Sequence, residues 1–429
     1  MVAGSLQLPD VRALDLSAKV EFPFVSTRSR TRYGVSPWLE AARAPSYPRF
    51  RGDRSADVVV IGAGLTGCAV AYAAAAAGFD TLLLEAAKVG HGSTSRSGGF
   101  LSQEPGPSFR DVAAAHGLKN ARRVFDAWRR GALDGAALLR RLRINCQLAA
   151  RETVVVARGD EERVLRRDYE ARRDAGLDVS WLTVKQISAR TKLDSRSGIK
   201  MREGATLDPY RACVGLGAAA ARAGAACCEQ SPVKKVLFTR KYADVVTAHG
   251  TIRTHHVVVA TGSATAEFKP LRRHFKRRES YFAMTEPVSS AVRRQLGDQN
   301  VVLTDARVPA HRIRWAAGDR LMIGGADQDE TPPRTRSAVL IQRTGQLMYQ
   351  LLTMYPAISG LQPEFGWDVP YGVSADGLMY IGAHRNYPFH HFAMGGFGSL
   401  AGAFVASRIL LREFQGKAEK ADEIFGWNR

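Results

Sequence analysis

The stretch Ala56–Glu85, ADVVVIGAGLTGCAVAYAAAAAGFDTLLLE, decides the fold. Its β-branched run Val58–Ile61 predicts a strand buried on both faces. That run leads directly into Gly62, Gly64 and Gly67, at G-x-G-x-x-G spacing. The first glycine permits a tight turn, the second lets backbone approach a pyrophosphate, and the third lets a new helix pack on the strand. The start of that helix would present N–H groups and a positive dipole end to phosphates.

A second strand and an acid complete this unit. Thr81–Leu84 predicts the strand, and Glu85 follows it at the place where an acid accepts hydrogen bonds from an adenosine ribose. A lone glycine motif is weak evidence, but strand, turn, helix, strand and acid in this order predict a dinucleotide-binding unit. The uncharged run Val58–Phe79 is long enough to cross a bilayer. Its glycines and alanine-rich helix are too weakly hydrophobic, so we expect no membrane span.

Composition is ordinary for a soluble globular protein except for its charge. The 429 residues predict two domains, with 45% hydrophobic and 24% charged residues. Lys and Arg number 61 against 41 Asp and Glu, a net charge of +20. We interpret the excess, much of it arginine pairs in predicted helices, as a solvated surface. The alternative is attraction of a carboxylate substrate, RNA or an acidic membrane, although no basic tract singles out nucleic acid.

The cysteines and histidines predict no metal site. None of the five cysteines forms a C-x-x-C pair, and the pattern indicates neither a zinc site nor a disulfide framework; they are Cys68, Cys146, Cys213, Cys227 and Cys228. This usage suits a reducing compartment. The N-terminus lacks a secretory signal pattern, so the expected location is the cytoplasm.

The rest of the chain predicts a mixture of helices and strands. Residues 1–54 are polar and rich in proline, which indicates an extended arm with Trp38 as a possible anchor. Helical patterns cover residues 117–142 (one or two helices), 161–175, 184–191 capped by Thr183, 210–223 opened by Asp208, 337–355 and the segment through 411. Strand patterns cover residues 153–157, 233–239, 243–248, 257–260, 377–382 and 389–394, and residues 281–325 are β-rich.

Over residues 37–412 the chain resembles the D-amino-acid oxidase superfamily of FAD-dependent oxidoreductases. The resemblance is greatest to the branch of glycine oxidase, sarcosine oxidase and gamma-glutamylputrescine oxidase. It rests on SYPRFRGDRSADVVVIGAGLTG, GSTSRSGG, LDPYRACVGLGAAAARAGA, the hairpin SPVKKVLFTRKYADVVTAHGTI with VVVATG, YFAMTEP, and GLMYIG through GFGSLAGAF. The first motif alone indicates a dinucleotide, and the ordered set indicates FAD rather than NAD.

The resemblance implies a set of FAD-binding residues. The pyrophosphate would lie on Gly62, Gly64, Leu65, Thr66 and Gly67, the ribose on Glu85, and the adenine on the backbone of Val233. The flavin ring would lie against Thr94, Arg96, Ser97, Gly98 and Gly99, with Thr261 and Gly262 closing the site. Backbone N–H groups of Phe397, Gly398, Ser399 and Leu400 would face the flavin N1 and C2 carbonyl side.

Two departures from the family pattern concern this site. Relatives commonly end the last turn in Gly-His-Gly or similar, where this chain has Ser399-Leu400-Ala401. Backbone contacts to the flavin survive such a change, but the usual substrate contacts do not follow. Arg96 stands where some relatives have a linking histidine, and no cysteine stands near Val369–Tyr371. The resemblance therefore implies non-covalent FAD.

The resemblance also implies a reaction. In this family the flavin takes a hydride at N5 from a C–H next to an amine nitrogen, and the imine hydrolyses. The substrate would be an amino acid or amine, with oxygen or another electron acceptor reoxidising the flavin. A substrate carboxylate needs a fixed cation, best an arginine. Strand alternation places Arg312 and Arg314 on one face, and we predict that Arg314 binds the carboxylate and that Tyr281 contributes a hydroxyl.

The predicted fold is α/β, with a Rossmann-like FAD domain and an inserted antiparallel-sheet substrate domain. Residues 55–105, 203–268 and 370–414 would form the FAD domain, and 106–202 and 269–369 the substrate domain. Residues 1–54 would be an arm and 415–429 a tail. Two other functions stay open: FAD-dependent modification of an aminomethyl group on transfer RNA, which the charge would suit, and flavin binding without turnover.

Overall fold

Two sheets with helices packed on them make up the part of the chain that the computed structural model describes, residues 30–40, 44–396 and 399–429. In these ranges the strands are β1 (Arg32–Tyr33), β2 (Arg54–Ile61), β3 (Thr81–Leu84), β4 (Phe100–Leu101), β5 (Ala149–Ala157), β6 (Ser180–Leu182), β7 (Ser197–Thr206), β8 (Ala226–Cys228), β9 (Lys235–Phe238), β10 (Ala243–Val246), β11 (Thr251–Gly262), β12 (Lys276–Thr285), β13 (Val301–Asp305), β14 (Arg312–Ala316), β15 (Arg320–Asp329), β16 (Pro363–Val373), β17 (Tyr380–His384) and β18 (Tyr387–Met394). The α-helices are α1 (Leu65–Ala76), α2 (Phe109–His116), α3 (Leu118–Arg141), α4 (Glu161–Asp174), α5 (Val184–Thr191), α6 (Pro209–Arg222), α7 (Ser290–Arg293), α8 (Arg336–Met354) and α9 (Ala401–Phe414).

The glycine motif follows a central strand of the first sheet, whose order is β17-β18-β11-β2-β3-β8. Strand β2 pairs in parallel with β3 and β11, and β11 pairs in parallel with β18. The side chains of Val58, Val59 and Val60 are fully buried, as a strand covered on both faces requires. Helix α1 begins at Leu65, directly after Gly64. The predicted strand, turn, helix and strand are confirmed, and the carboxyl ends of β2, β3 and β11 meet at one edge.

The second sheet has the order β1-β16-β12-β15-β14-β13-β5-β7-β4, with β6 pairing on β7. It is largely antiparallel: β12 pairs antiparallel with both β15 and β16, and β14 with β15. Helix α8 packs on β12, β15 and β16. The predicted α/β class with a second, antiparallel sheet is confirmed. The residue boundaries of the two domains stay a prediction.

Helix boundaries follow the capping residues named from the sequence. Thr183 Oγ1 accepts a hydrogen bond from the Gln186 N–H, and the Gln186 side chain accepts one from the Thr183 N–H, which is a capping box. Asp208 Oδ1 accepts from the Arg211 N–H at 3.0 Å and so caps α6. The pattern over residues 117–142 forms the single helix α3. Trp38 is buried, as expected of an anchor.

Two broader expectations concern membranes and metals. Among the helices of the described ranges, we find none with the length and apolar character that a membrane crossing requires. His, Cys, Asp and Glu side chains in the same ranges do not group in threes suited to a metal ion.

A histidine pair at the amino-terminal half of β11 gives a prediction about stability. His256 Nδ1 lies 3.1 Å from His391 Nε2, and His391 Nδ1 lies 2.6 Å from Glu413 Oε2. Burial, and then the neighbouring His391, lower the pKa of His256 to about 4. The unfolded chain, with an ordinary histidine pKa near 6.5, binds this proton more readily. The contribution of neutral His256 to the free energy of unfolding is therefore fully present above about pH 6.5 and is lost as the pH falls towards 4.

We expect His256→Gln to remove this part of the pH dependence. Between pH 6.5 and 4 the wild-type free energy of unfolding should fall by about 2 to 3 kcal/mol more than that of the variant. Denaturant titrations at several pH values measure the difference. His249→Gln, at an exposed position, is the control and should follow the wild-type curve. Parallel curves for wild type and His256→Gln would contradict the assignment.

Candidate cofactor and substrate site

A cavity of about 1230 Å³ lies at the edge where β2, β3 and β11 end. Its walls come from both sheets. The first sheet contributes residues that follow these strands, among them Gly62, Glu85 and Thr261, whereas the second contributes side chains of β12, β14, β15 and β16. The cavity is therefore built as a two-part site, with a glycine-rich wall on one side and charged side chains on the other.

The glycine motif forms a cradle on the first wall. Gly62 has φ +99°, and a Cβ there would lie 2.9 Å from the Ala260 carbonyl oxygen. A Cβ on Gly67 would lie 1.8 Å from the Gly62 carbonyl oxygen, so this glycine is required for helix packing rather than for ligand contact. Gly64 lines the cavity, and its Cβ would meet only Thr94 Oγ1 closely, at 3.2 Å. The space beside Gly64 is thus available to a ligand.

Glu85 is held in place at the end of β3. Its Oε2 accepts from the Ala63 N–H at 2.8 Å, and its Oε1 accepts from the Ala87 N–H at 2.9 Å. Hydrogen bonds to a carboxylate are stronger than those between neutral groups, so these two fix the side chain between the glycine turn and the next loop. Glu85 lines the cavity, where its remaining lone pairs can accept from ribose hydroxyls.

The serine- and glycine-rich loop after Glu85 forms the next part of the wall. Thr94, Ser97, Gly98 and Gly99, for which the resemblance implies contact with the flavin ring, line the cavity. Thr94 Oγ1 also accepts from the Leu65 N–H at 3.0 Å, which ties the loop to the start of α1. Arg96 is not among the described residues that line the cavity. Its Nη1 lies 3.6 Å from Asp368 Oδ1.

The remaining predicted cofactor residues lie on the same cavity or outside the described ranges. Leu65, Thr66, Val233, Thr261, Gly262, Ser399 and Leu400 line it. Phe397 and Gly398 lie outside the residues that the structure describes. The Leu400 N–H donates to the Phe100 carbonyl oxygen at 2.8 Å, so it is committed to that backbone contact and not to a ligand. Ser399 Oγ donates to the Ser102 carbonyl oxygen at 2.6 Å, which attaches the unusual turn to the segment after β4.

The two residues predicted to bind substrate are not among the described residues that line the cavity. Arg314 is buried, and its Nη1 donates to the carbonyl oxygens of Gly99, at 2.9 Å, and Leu207, at 3.1 Å. The Tyr281 hydroxyl donates to Glu279 at 2.8 Å and lies 3.0 Å from Thr331 Oγ1. On β12 the neighbours Ser280 and Phe282 line the cavity instead, because successive side chains point to opposite faces. Neither placement supports direct substrate contact.

A different polar group stands on the second wall. Arg278, Arg312, Asp327 and Tyr371 line the cavity. The Tyr371 hydroxyl donates to Asp327 Oδ2 at 2.7 Å, and Arg278 Nη2 donates to the Asp327 carbonyl oxygen at 3.2 Å. Burial lowers the pKa of Arg312, with Asp327 acting in the opposite direction. Burial, and then Asp327, raise the pKa of Tyr371. The group can therefore donate several hydrogen bonds to an anion.

The sequence predicts a substrate role for Arg314, but of the pair Arg312 and Arg314 only the first lines this cavity among the described residues. Arg312 begins β14 and lines the cavity, whereas Arg314 lies one strand repeat further on. Tyr371 had no signal, because β16 carries prolines and glycines that disguise a strand.

The residues present fit a flavin dinucleotide. Gly64 leaves space beside the cavity that a side chain would fill. The start of α1 offers N–H groups to phosphates, and Glu85 is placed for a ribose. The cavity then continues past the Gly98 backbone to the arginines of the second wall. One elongated ligand with a phosphate-bearing middle and a flat end matches this arrangement.

Comparisons with known proteins agree with this reading. Gamma-glutamylputrescine oxidoreductase of Escherichia coli (strain K12) is 24% identical over 396 residues, with 89% of each chain covered. Glycine oxidase of Bacillus licheniformis is 25% identical, covering 80% of this chain and 88% of that protein. The crystal structure of glycine oxidase from Geobacillus kaustophilus matches with a TM-score of 0.70 at 20% identity, over 88% of this chain and 99% of the other. Residues 57–409 match the family described as DAO, FAD dependent oxidoreductase, and the chain therefore belongs to this family.

Proposed function

We propose that this FAD-dependent oxidoreductase oxidises a C–N bond of an amino acid or of an amine that bears a carboxylate. The chemistry that FAD supplies when bound is acceptance of a hydride at N5 from the carbon next to the amine nitrogen. The imine product would then hydrolyse. The names of the similar glycine oxidase and gamma-glutamylputrescine oxidoreductase support this substrate class.

The observation that carries the proposal is the position of Arg312 on the second wall. A guanidinium group binds a carboxylate through two parallel N–H donors, which fixes orientation as well as affinity. Arg312 stands beside Asp327 and Tyr371, and this neighbourhood would hold the guanidinium in one direction. We assign substrate carboxylate binding to Arg312 rather than to Arg314, because Arg312 lines the cavity and Arg314 is not among the described residues that line it.

Arg278 and Tyr371 would complete substrate positioning. Arg278 Nε is buried with no hydrogen-bond partner among the described residues, and the residue lines the cavity. The buried Nε itself is out of reach of a ligand, but the positive charge of Arg278 would attract an anionic group of the substrate in the cavity. These side chains would bind and orient the substrate and exclude water, and orientation is a large part of the rate gain in such a reaction.

Anaerobic spectroscopy of the purified protein tests the proposal. The visible absorbance is recorded before and after adding matched pairs of compounds, each an amino acid or N-methyl amino acid and the amine that lacks its carboxylate. We expect the flavin to bleach with one or more carboxylated compounds and to bleach much more slowly with their amine partners. Equal bleaching within every pair would remove Arg312 from substrate binding. A flavin that no compound in the panel reduces would contradict amine oxidation.

Air is then admitted to the bleached sample. Return of the colour within seconds would support oxygen as the electron acceptor, and slow return would support another acceptor. If no compound bleaches the flavin, binding of transfer RNA at several salt concentrations distinguishes the remaining functions. A steep salt dependence would favour the transfer-RNA function, because phosphate contacts release counterions, and no binding would favour flavin binding without turnover.

A further inference from the structure

Four backbone carbonyls of the loop that lines the cavity accept hydrogen bonds from side chains of distant segments. Ser36 Oγ donates to Ser95 O, Trp38 Nε1 donates to Ser97 O at 2.9 Å, Trp367 Nε1 donates to Arg96 O at 2.8 Å, and Arg314 Nη1 donates to Gly99 O at 2.9 Å. We propose that these four side chains, Ser36, Trp38, Trp367 and Arg314, form a carbonyl clamp that positions this loop for the flavin.

The clamp acts from behind the loop. Thr94, Ser97, Gly98 and Gly99 line the cavity. Among the described lining residues, no member of the clamp is found, and all four members are at most 5% exposed. They are therefore positioning residues, which reach the cofactor site through the loop backbone.

The direction of each carbonyl also fixes the direction of the next N–H. In a trans peptide the C=O of one residue and the N–H of the following residue point in opposite directions. Holding Ser97 O on the Trp38 indole turns the Gly98 N–H away from Trp38, and Gly98 lines the cavity. The clamp thereby determines which backbone donors the loop presents to a ligand.

The amino-terminal half of the clamp belongs to a segment outside the matched family region. Ser36 and Trp38 precede residue 57, where the family match begins. Strand β1 joins this segment to the second sheet by pairing in parallel with β16, Arg32 opposite Phe365 and Tyr33 opposite Gly366. Thr31 Oγ1 donates to Pro363 O at 2.8 Å, and the Gly34 N–H donates to Gly366 O at 2.8 Å. The segment is thus attached at β16 and inserts its next turn, Pro37–Leu39, behind the loop.

The two halves of the clamp also contact each other. The Arg314 guanidinium carbon lies 5.2 Å from the centre of the Trp38 ring and 5.9 Å from that of Phe100, which is within the range of a cation–π interaction. Gly99, whose carbonyl Arg314 holds, has φ +67°, and a Cβ there would lie 2.1 Å from the Leu207 carbonyl oxygen. The Gly99 carbonyl also accepts from the Leu207 N–H at 2.9 Å, so Arg314 and this backbone hydrogen bond together hold the loop against the segment that follows β7.

Trp38→Phe tests the clamp, because phenylalanine keeps an aromatic ring and removes the N–H donor. We expect the dissociation constant of FAD to rise about tenfold, the effect of one lost hydrogen bond to a buried carbonyl, and the visible spectrum of bound flavin to shift. Trp181→Phe is the control, since Trp181 lies on β6 and packs on Tyr169; it should leave both readouts unchanged. Wild-type FAD affinity and spectrum in Trp38→Phe would overturn the proposal.

Two more variants separate positioning from other roles. If Trp38→Phe does not fold, Ser36→Ala removes the neighbouring donor with little change in volume and should give the same direction of change. Arg314→Met should weaken FAD binding and shift the flavin spectrum, and Arg314→Lys, which keeps a cationic donor, should restore part of both. If Arg314 instead contacts substrate, Arg314→Met raises KM for carboxylated substrates and leaves FAD binding unchanged. The clamp rests on FAD binding alone, so these readouts stand apart from the proposed reaction.

Discussion

Replacement of Gly67 by alanine is expected to abolish FAD binding at ordinary cofactor concentrations. The added Cβ would lie 1.8 Å from the Gly62 carbonyl oxygen and 3.4 Å from a Val60 methyl carbon, and the first contact is far shorter than atoms tolerate. Helix α1 must then move away from β2, because the obstructing atom is backbone and not the end of a flexible side chain. That movement carries the helix N-terminus and Leu65 away from the phosphate position.

The loss should be at least about 100-fold in FAD affinity, or about 3 kcal/mol, the upper part of the range for overpacking a core. Titration of the apoprotein with FAD measures it. Gly345→Ala is the control, since Gly345 lies in α8 and a Cβ there meets no atom within 4 Å; it should bind FAD as wild type does and gain up to about 1 kcal/mol of stability. A yellow Gly67→Ala protein with wild-type FAD affinity would contradict the packing role of this glycine.

The contrast between Gly67 and the clamp shows what could be predicted from this sequence. The strand at Val58, the turn at Gly62 and the acid Glu85 are neighbours along the chain, so their pattern indicates structure directly. The position of the Gly98 loop beside the ligand was also predictable, because the loop follows β3 in the sequence and belongs to a motif of the family resemblance.

The groups behind that loop come from segments far apart in the sequence. Trp38 and Ser97 are separated by 59 residues, and Trp367 and Arg96 by 271. A pattern that repeats every two or four residues holds no information about such pairs. Trp38 could be predicted as an anchor because of its residue type, but its hydrogen-bond partner could not.

On the substrate side, the sequence predicted only which strand face carries the arginines. Alternation along the strand predicts that Arg312 and Arg314 share one face. Which of the two reaches a ligand depends on where the cavity ends along β14, and that depends on how the two sheets meet. The sequence of β16 added no help, because Pro370 and Gly372 weaken its strand pattern although Trp367 and Val369 are almost fully buried.

Arg312 therefore carries the second large prediction. Replacing it by methionine removes the guanidinium and keeps much of the side-chain volume. We expect kcat/KM for a carboxylated amine to fall about 100- to 1,000-fold, or about 3 to 4 kcal/mol, because a charge-assisted and partly desolvated ion pair is lost. FAD affinity and the flavin spectrum should stay as in wild type, since Arg312 stands on the second wall, with Arg278 and Tyr371.

Two controls make this result specific. The same variant should lose little activity on the amine that lacks the carboxylate, because that compound has no group for Arg312 to bind. Arg294→Met changes an exposed arginine outside the cavity lining and should leave both substrates unaffected. An equal loss on carboxylated and uncarboxylated amines would show that Arg312 shapes the cavity and does not recognise the carboxylate. A loss confined to the carboxylated compound would assign carboxylate binding to Arg312. The positions of Asp327 and Tyr371 beside Arg312 at the cavity support that assignment.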